Sequence, residues 1–278
     1  MSTTHLSPTL TLNTGAQIPQ LGFGVWQIED DGERVISEAL EVGYRHLDTA
    51  MIYHNEAEVG RAVARSGIPR EELFVTTKLF NTDHGTQEAL GAFDRSLERL
   101  ALEYVDLYLI HWPMPGVDRY VESWRALETI AASGRARAIG VSNFMPEHLQ
   151  RLLDETGTVP AVNQIEVHPE HQQTAASAFS REHGVIIEAY SPLANGRILD
   201  DVKLRAIADR LGKTVPQVLL RWQIQLGNIA IPKTVTRARM LENLDVFDFE
   251  LTPDDVTVIE SFERGGRVGN DPYTVNGP

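Results

Sequence analysis

The amino-acid sequence predicts a (β/α)8 (TIM) barrel on three observations: eight short apolar segments, eight amphipathic segments of helical period between them, and no linker or composition break from end to end. The apolar segments are residues 21–26, 45–49, 73–79, 105–111, 136–141, 162–167, 185–190 and 229–231, each of strand length. The helical stretches are 32–41, 56–66, 86–100, 119–133, 146–156, 173–183, 216–226 and 237–244. A doubly wound open sheet is the competing arrangement, and the lack of a Gly-x-Gly-x-x-Gly run after a strand argues against it.

Three additions decorate the repeat. Leu10, Leu12 and Ile18 flank Asn13-Thr14-Gly15, which predicts an N-terminal β-hairpin that plugs the lower end of the barrel. The gap between the seventh and eighth strands has room for an extra helix at 201–211 and for a second helix that Thr214 caps and Pro216 starts. After the eighth unit, Leu251-Thr252-Pro253-Asp254-Asp255 has the cap, Pro and acidic first turn of a last helix. The Gly-rich tail from residue 263 to 278 is then either a cover over a site or a frayed end.

Composition bounds the function. A chain of 278 residues can bury one large core, and 1–278 reads as a single domain. The balance of 25 basic and 39 acidic residues, net −14, argues against a nucleic-acid or anionic-membrane surface, so an anionic ligand needs a local basic cluster. With no cysteine, disulfides, thiolate metal sites and cysteine nucleophiles are out. No apolar run approaches a membrane span and no signal peptide is visible, which leads to the expectation of a cytoplasmic protein.

A barrel carries its chemistry at the C-terminal ends of its strands, and polar residues gather there: Asp48, Lys78, His111, Ser142-Asn143, Gln164, Tyr190-Ser191 and Lys233-Thr234. Polar groups facing an apolar barrel are costly unless paired. Asp48, Tyr53, Lys78 and His111 come from different units and would converge at the mouth. A tyrosine is a poor proton donor near neutral pH; an ammonium such as Lys78 would lower its pKa, and Asp48 would keep that lysine charged. His111 could then position a substrate oxygen. The competing readings are an ordinary barrel ion pair with a core histidine, and a Schiff-base aldolase in which Lys78 attacks as a neutral amine. The neighbouring Asp48 favours the charged lysine and so speaks against the aldolase.

These residues sit in motifs. Gly43-Tyr44-Arg45-His46-Leu47-Asp48-Thr49-Ala50 with Tyr53, Glu56 and Val59-Gly60 resembles the first signature of the aldo-keto reductases. Ile139-Gly140-Val141-Ser142-Asn143-Phe144 is similar to the second signature, and Ile231-Pro232-Lys233-Thr234-Val235 with Arg239 and Glu242-Asn243 to the third. Residues 160–166 and 243–249 resemble the short bacterial members, 2,5-diketo-D-gluconate reductases among them.

The resemblance implies an NADPH-dependent carbonyl reductase. Tyr53 would protonate the carbonyl oxygen, Lys78 and Asp48 would tune it, and His111 would orient the substrate. Ser142, Asn143 and Gln164 would bind the nicotinamide carboxamide, Tyr190 would stack on the ring, and Ser191 and Leu193 would lie along the pyrophosphate. Lys233, Thr234 and Arg239 would take the adenosine 2′-phosphate, with Glu242 and Asn243 facing the adenine. Thr234 stands where many members have Ser. The loop from 192 to 201 is too short for the long cofactor clasp of larger relatives. A cofactor-sensing subunit derived from this fold would lack one of the four catalytic residues, and all four are present.

On the substrate side, Trp26, Phe80 and Trp112 follow strands and could wall a small carbonyl substrate. Trp124 and Trp222 sit within amphipathic helices and read as core, and His46 as structural. His168 and His171 follow the sixth strand without an H-x-H pair, which does not suggest a metal. Keto-sugar acids such as 2,5-diketo-D-gluconate, methylglyoxal-like dicarbonyls and simple aldehydes all remain open as substrates, and a monomer is the form the resemblance implies.

Overall fold

The computed structural model describes residues 7–28 and 31–277. A hairpin comes first, β1 (Thr9–Thr11) and β2 (Gln17–Pro19), with Leu10 opposite Ile18. Eight parallel strands follow: β3 (Phe23–Gly24), β4 (His46–Asp48), β5 (Phe74–Leu79), β6 (Val105–Ile110), β7 (Ala136–Ser142), β8 (Val162–Glu166), β9 (Ile186–Tyr190) and β10 (Ile229–Ala230). Each pairs with the next in chain order. The last returns to the first, because Leu21 bridges Ala230, Gly22 N–H donates to the Ala230 carbonyl and Gly24 N–H to that of Pro232. The sheet is therefore closed, as the alternation of segments predicted. The first and last strands are shorter than their apolar runs because regular pairing beside β3 and β10 covers only these few residues.

The helices are α1 (Gly32–Val42), α2 (Glu56–Arg65), α3 (Thr86–Leu100), α4 (Tyr120–Ala132), α5 (Pro146–Glu155), α6 (Thr174–Glu182), α7 (Val202–Leu211), α8 (Val215–Gln225), α9 (Arg237–Leu244) and α10 (Pro253–Glu260). Local chemistry sets their starts. Asp201 accepts from Lys203 and Leu204 N–H at the head of α7, and Thr214 with Gln217 and Thr252 with Asp255 form reciprocal capping boxes on α8 and α10. The helices of the repeat bury an apolar stripe, such as Ala89, Phe93, Leu97 and Leu100 of α3, and α10 packs on α7 outside them. Trp124 and Trp222 are buried in the core.

Inside the barrel, Phe74, Leu107, Leu109, Ala138, Val162 and Ile229 form one cluster with Leu12 and Ile18 of the hairpin region. The hairpin is thus a plug. The space above it is tight: a Cβ on Gly140 would lie 2.6 Å from the Val162 carbonyl oxygen and 2.7 Å from a Leu109 methyl. At the lower rim the buried Asp106 is fully partnered, with Arg70 at 2.7 Å and Val75 N–H at 2.9 Å on one oxygen and Arg137 at 3.1 Å on the other.

Candidate active site

Alternate residues of a strand share a face, so the inward set rises through His46 and Asp48 on β4, Thr76 and Lys78 on β5, Gln164 and Glu166 on β8, and Glu188 and Tyr190 on β9. These side chains join in one buried network. Lys78 Nζ donates to Asp48 Oδ1 at 2.7 Å and to the Thr49 carbonyl at 2.9 Å. Asp48 Oδ2 accepts from Gln164 Nε2 at 2.8 Å, and the same Nε2 donates to Glu188 Oε2 at 2.9 Å. Gln164 and Glu188 stand directly opposite on adjacent strands. Glu188 Oε1 lies 3.4 Å from His46 Nε2, which is 3.2 Å from Thr76 Oγ1.

Burial acts on every group here. It would strip the proton from Lys78, but Asp48 and Tyr53 outweigh it and leave the ammonium more firmly protonated than usual. That removes the basis for a neutral-amine nucleophile. Burial and the nearby Asp48 push the Glu188 carboxyl up to about 8, while burial brings the His46 imidazole down to about 4. His46, read as structural, belongs to this polar network. Tyr53 corrects an expectation. Lys78 does pull its pKa down, but burial pulls harder the other way and the net shift is upward.

At the mouth, Tyr53 ends a single 3-10 turn (Met51–Tyr53) after β4, and Lys78 Nζ lies 5.1 Å from its ring centre. His111, just past β6, is ringed by Tyr53 at 5.9 Å, Phe80 at 6.1 Å and Trp112 at 6.4 Å between ring centres. Burial and the charge of Lys78 both disfavour its protonation, so His111 is neutral near pH 7, and its Nδ1 has no hydrogen-bond partner among the described residues. Phe80 is buried and Trp112 half-buried, whereas Trp26 is 50% exposed.

Beside this group lies a second set. Ser142 Oγ donates to the Gln164 carbonyl at 2.8 Å, Asn143 Nδ2 to the His111 carbonyl at 3.0 Å, and Tyr190 Oη to Asn143 Oδ1 at 2.8 Å. Asn143 and Ser191 have positive φ of 63° and 48°, an uncommon conformation that clusters at functional sites. Leu193 packs on the core beneath a short turn, Ala194–Gly196, with no long insertion before α7. The remaining expected residues lie apart, after β10 and on α9. Thr234 is buried and its Oγ1 accepts from Thr236 N–H at 3.2 Å, Asn243 is buried, and Glu242 accepts from Thr214 Oγ1 at 2.7 Å. Lys233 and Arg239 are exposed and make no ion pair among the described residues.

Two carboxylates play parts that sequence reasoning passed over. Glu188 is one. Glu166 is the other: its two oxygens accept Val268 N–H at 2.6 Å and Gly269 N–H at 2.8 Å, with His168 Nε2 at 2.9 Å behind it. The C-terminal tail is therefore a seated cover rather than a frayed end. Its far end holds Gly116 N–H through Asn276 and accepts from Asn81 Nδ2 on the Gly277 carbonyl at 2.8 Å. The signal available in sequence was the period of two, since Glu166 follows Gln164 and Glu188 precedes Tyr190 by two residues.

Comparison with known proteins finds relatives along nearly the whole chain. The model of the Aldo/keto reductase family matches residues 20–264. An aldo-keto reductase of Mycolicibacterium smegmatis is 53% identical over 98% of this chain and 99% of its own. A glyoxal reductase of Bacillus subtilis is 45% identical over 97% and 98%. The solved structure of an aldo-keto reductase of Bombyx mori in complex with NADP has a TM-score of 0.90 at 36% identity, covering 95% of each chain.

Proposed function

The chain belongs to the aldo/keto reductase family, and on that premise we propose that it reduces an aldehyde or ketone to the alcohol with NADPH, Tyr53 supplying the proton. The observation that carries this reading is the meeting of Tyr53, Lys78, Asp48 and His111 at one end of the barrel. The Bacillus subtilis relative's name favours small dicarbonyls among the substrates.

The chain's own residues fit NADPH. Gln164 commits both amide hydrogens to Asp48 and Glu188, which leaves its Oε1 to accept from a carboxamide NH2. Tyr190 is pinned by Asn143, which keeps its ring in one plane for stacking. Lys233 and Arg239, without acidic partners among the described residues, suit a 2′-phosphate in a chain of net charge −14.

When bound, NADPH supplies the hydride that reaches the carbonyl carbon. Tyr53 gives its phenolic proton to the carbonyl oxygen, and the phenolate so formed is stabilised by the Lys78 ammonium, whose charge Asp48 maintains. Neutral His111 donates an N–H to the same oxygen and sets its approach. Phe80, Trp112 and the seated tail exclude water from the pocket.

The test is NADPH absorbance followed with purified protein and a panel of aldehydes, α-dicarbonyls and keto-sugars, with NADH run in parallel. Carbonyl-dependent oxidation that prefers NADPH is the expected result. Binding of NADPH without turnover of any carbonyl would overturn the reading.

A further inference from the structure

We propose that Glu188 is a positioning residue of the reductase: it holds a proton inside the barrel, accepts one amide hydrogen of Gln164, and so, together with Asp48, fixes which end of that amide faces the nicotinamide. The last step rests on the role given to Gln164 under the proposed function; the first two stand on the network itself.

Charge balance is the first ground. The groups around Glu188 are His46 and Asp48 from β4, Lys78 from β5, Gln164 from β8 and Tyr53 beyond β4, with Thr76 of β5 behind His46. Lys78 is the one cation, and its Nζ is committed to Asp48 and the Thr49 carbonyl. His46 is neutral. With Asp48 ionised, an ionised Glu188 would be a second negative charge with no cation of its own and no solvent exposure, which proteins avoid by keeping the proton.

Hydrogen-bond arithmetic is the second ground. A protonated Glu188 has one O–H and one carbonyl oxygen. Oε2 must be the acceptor, since Gln164 Nε2 lies 2.9 Å away, so the proton sits on Oε1. Among the described residues Oε1 has no hydrogen-bond partner and lies 3.4 Å from His46 Nε2, which can accept from it when the neutral imidazole carries its hydrogen on Nδ1. Each Glu188 oxygen then has a compatible neighbour. The Gln164 amide cannot be turned over, because its Oε1 would then face Asp48, a carboxylate that has no hydrogen to give. Without Glu188, only Asp48 restrains the amide.

The experiment uses the purified full-length protein with E188Q and E188L. Glutamine reproduces the protonated acid, offering its carbonyl to Gln164 and its NH2 to His46, so E188Q binds NADPH within about twofold of wild type. Leucine leaves one Gln164 hydrogen buried without an acceptor, and E188L binds NADPH about tenfold more weakly. In the infrared, wild-type protein without cofactor shows a protonated carboxyl stretch at neutral pH that is missing in E188Q. Wild-type affinity in E188L, equal weakening in both variants, or no such stretch in wild type would each overturn the inference. The infrared comparison and E188Q decide it even if E188L fails to fold. If wild type itself does not bind NADPH, the proposed function falls, while the infrared stretch still decides where the proton is.

Discussion

The two ends of the barrel bury carboxylates in opposite ways. At the lower rim Asp106 has cations or N–H groups on both oxygens, from Arg70, Arg137 and Val75. In the upper interior Glu188 has one amide donor and a second oxygen with no hydrogen-bond partner among the described residues. Burial pushes both carboxyls up, but at Asp106 two guanidinium groups pull the other way, and at Glu188 only Gln164 and the more distant Lys78 do. A fully partnered charge is an anchor for strands β5, β6 and β7. An incompletely partnered one is a reserve of protonation and orientation beneath the reacting groups, and the split matches the division of barrel ends into a stability face and a chemistry face.

The sharpest way to break that contrast is at the mouth. Tyr53→Phe should lower turnover by roughly 10²- to 10⁴-fold while NADPH affinity holds, checked by steady-state rates beside a fluorescence titration. Retained turnover would remove Tyr53 as the acid. Next in size, Arg239→Ala should weaken NADPH about 10- to 100-fold and NADH little, as expected for loss of a charged contact to phosphate. Equal loss with both cofactors would show that Arg239 does not read the 2′-phosphate.

At the lower end the effect should be on stability alone. Arg70→Ala should cost about 2 kcal/mol in denaturant unfolding, below the ~3–5 kcal/mol for stripping a buried charge entirely, because Arg137 remains. Activity per folded molecule should be unchanged; a loss of activity would mean the two ends are coupled. Over the mouth, Glu166→Gln should release the tail, with hydrogen exchange at Val268 and Gly269 faster by roughly 5- to 30-fold. Unaltered exchange would mean the tail is held elsewhere.

The last contrast is in pH. The Glu188 pKa is raised from 4.5 to about 8 on folding, so the folded state binds the proton more tightly. Its contribution is intact below about 4.5 and is lost as pH climbs through 8. Wild type should therefore lose stability relative to E188Q across that window, measured as the difference between their melting temperatures. A constant difference from pH 5 to 8 would place no titrating proton on Glu188.

Much of this was legible in the chain. Strand and helix periods located all eight β–α units, and Thr214-Pro216 and Thr252-Asp255 marked helix starts through local hydrogen bonds. The strand-end residues Asp48, Lys78 and Gln164 were legible as a set because each ends or crosses an apolar run. Glu188 was not, because a period of two says that it faces inward beside Tyr190 but not what stands across the barrel from it. Tyr53 was misjudged in sign for a similar reason: the approach of Lys78 follows from the motif, whereas the burial that outweighs it exists only once the barrel has closed.

The sequence by itself determined the units, their order and which side chains point into the barrel, since these depend on contacts within a few residues. Only the tertiary structure decided that one Gln164 nitrogen bridges two carboxylates, that Glu166 seats the tail, and that Lys233 and Arg239 stay unpaired among the described residues. Those outcomes depend on closure of the sheet, which brings atoms from distant segments within 3 Å and removes the water that would otherwise screen them.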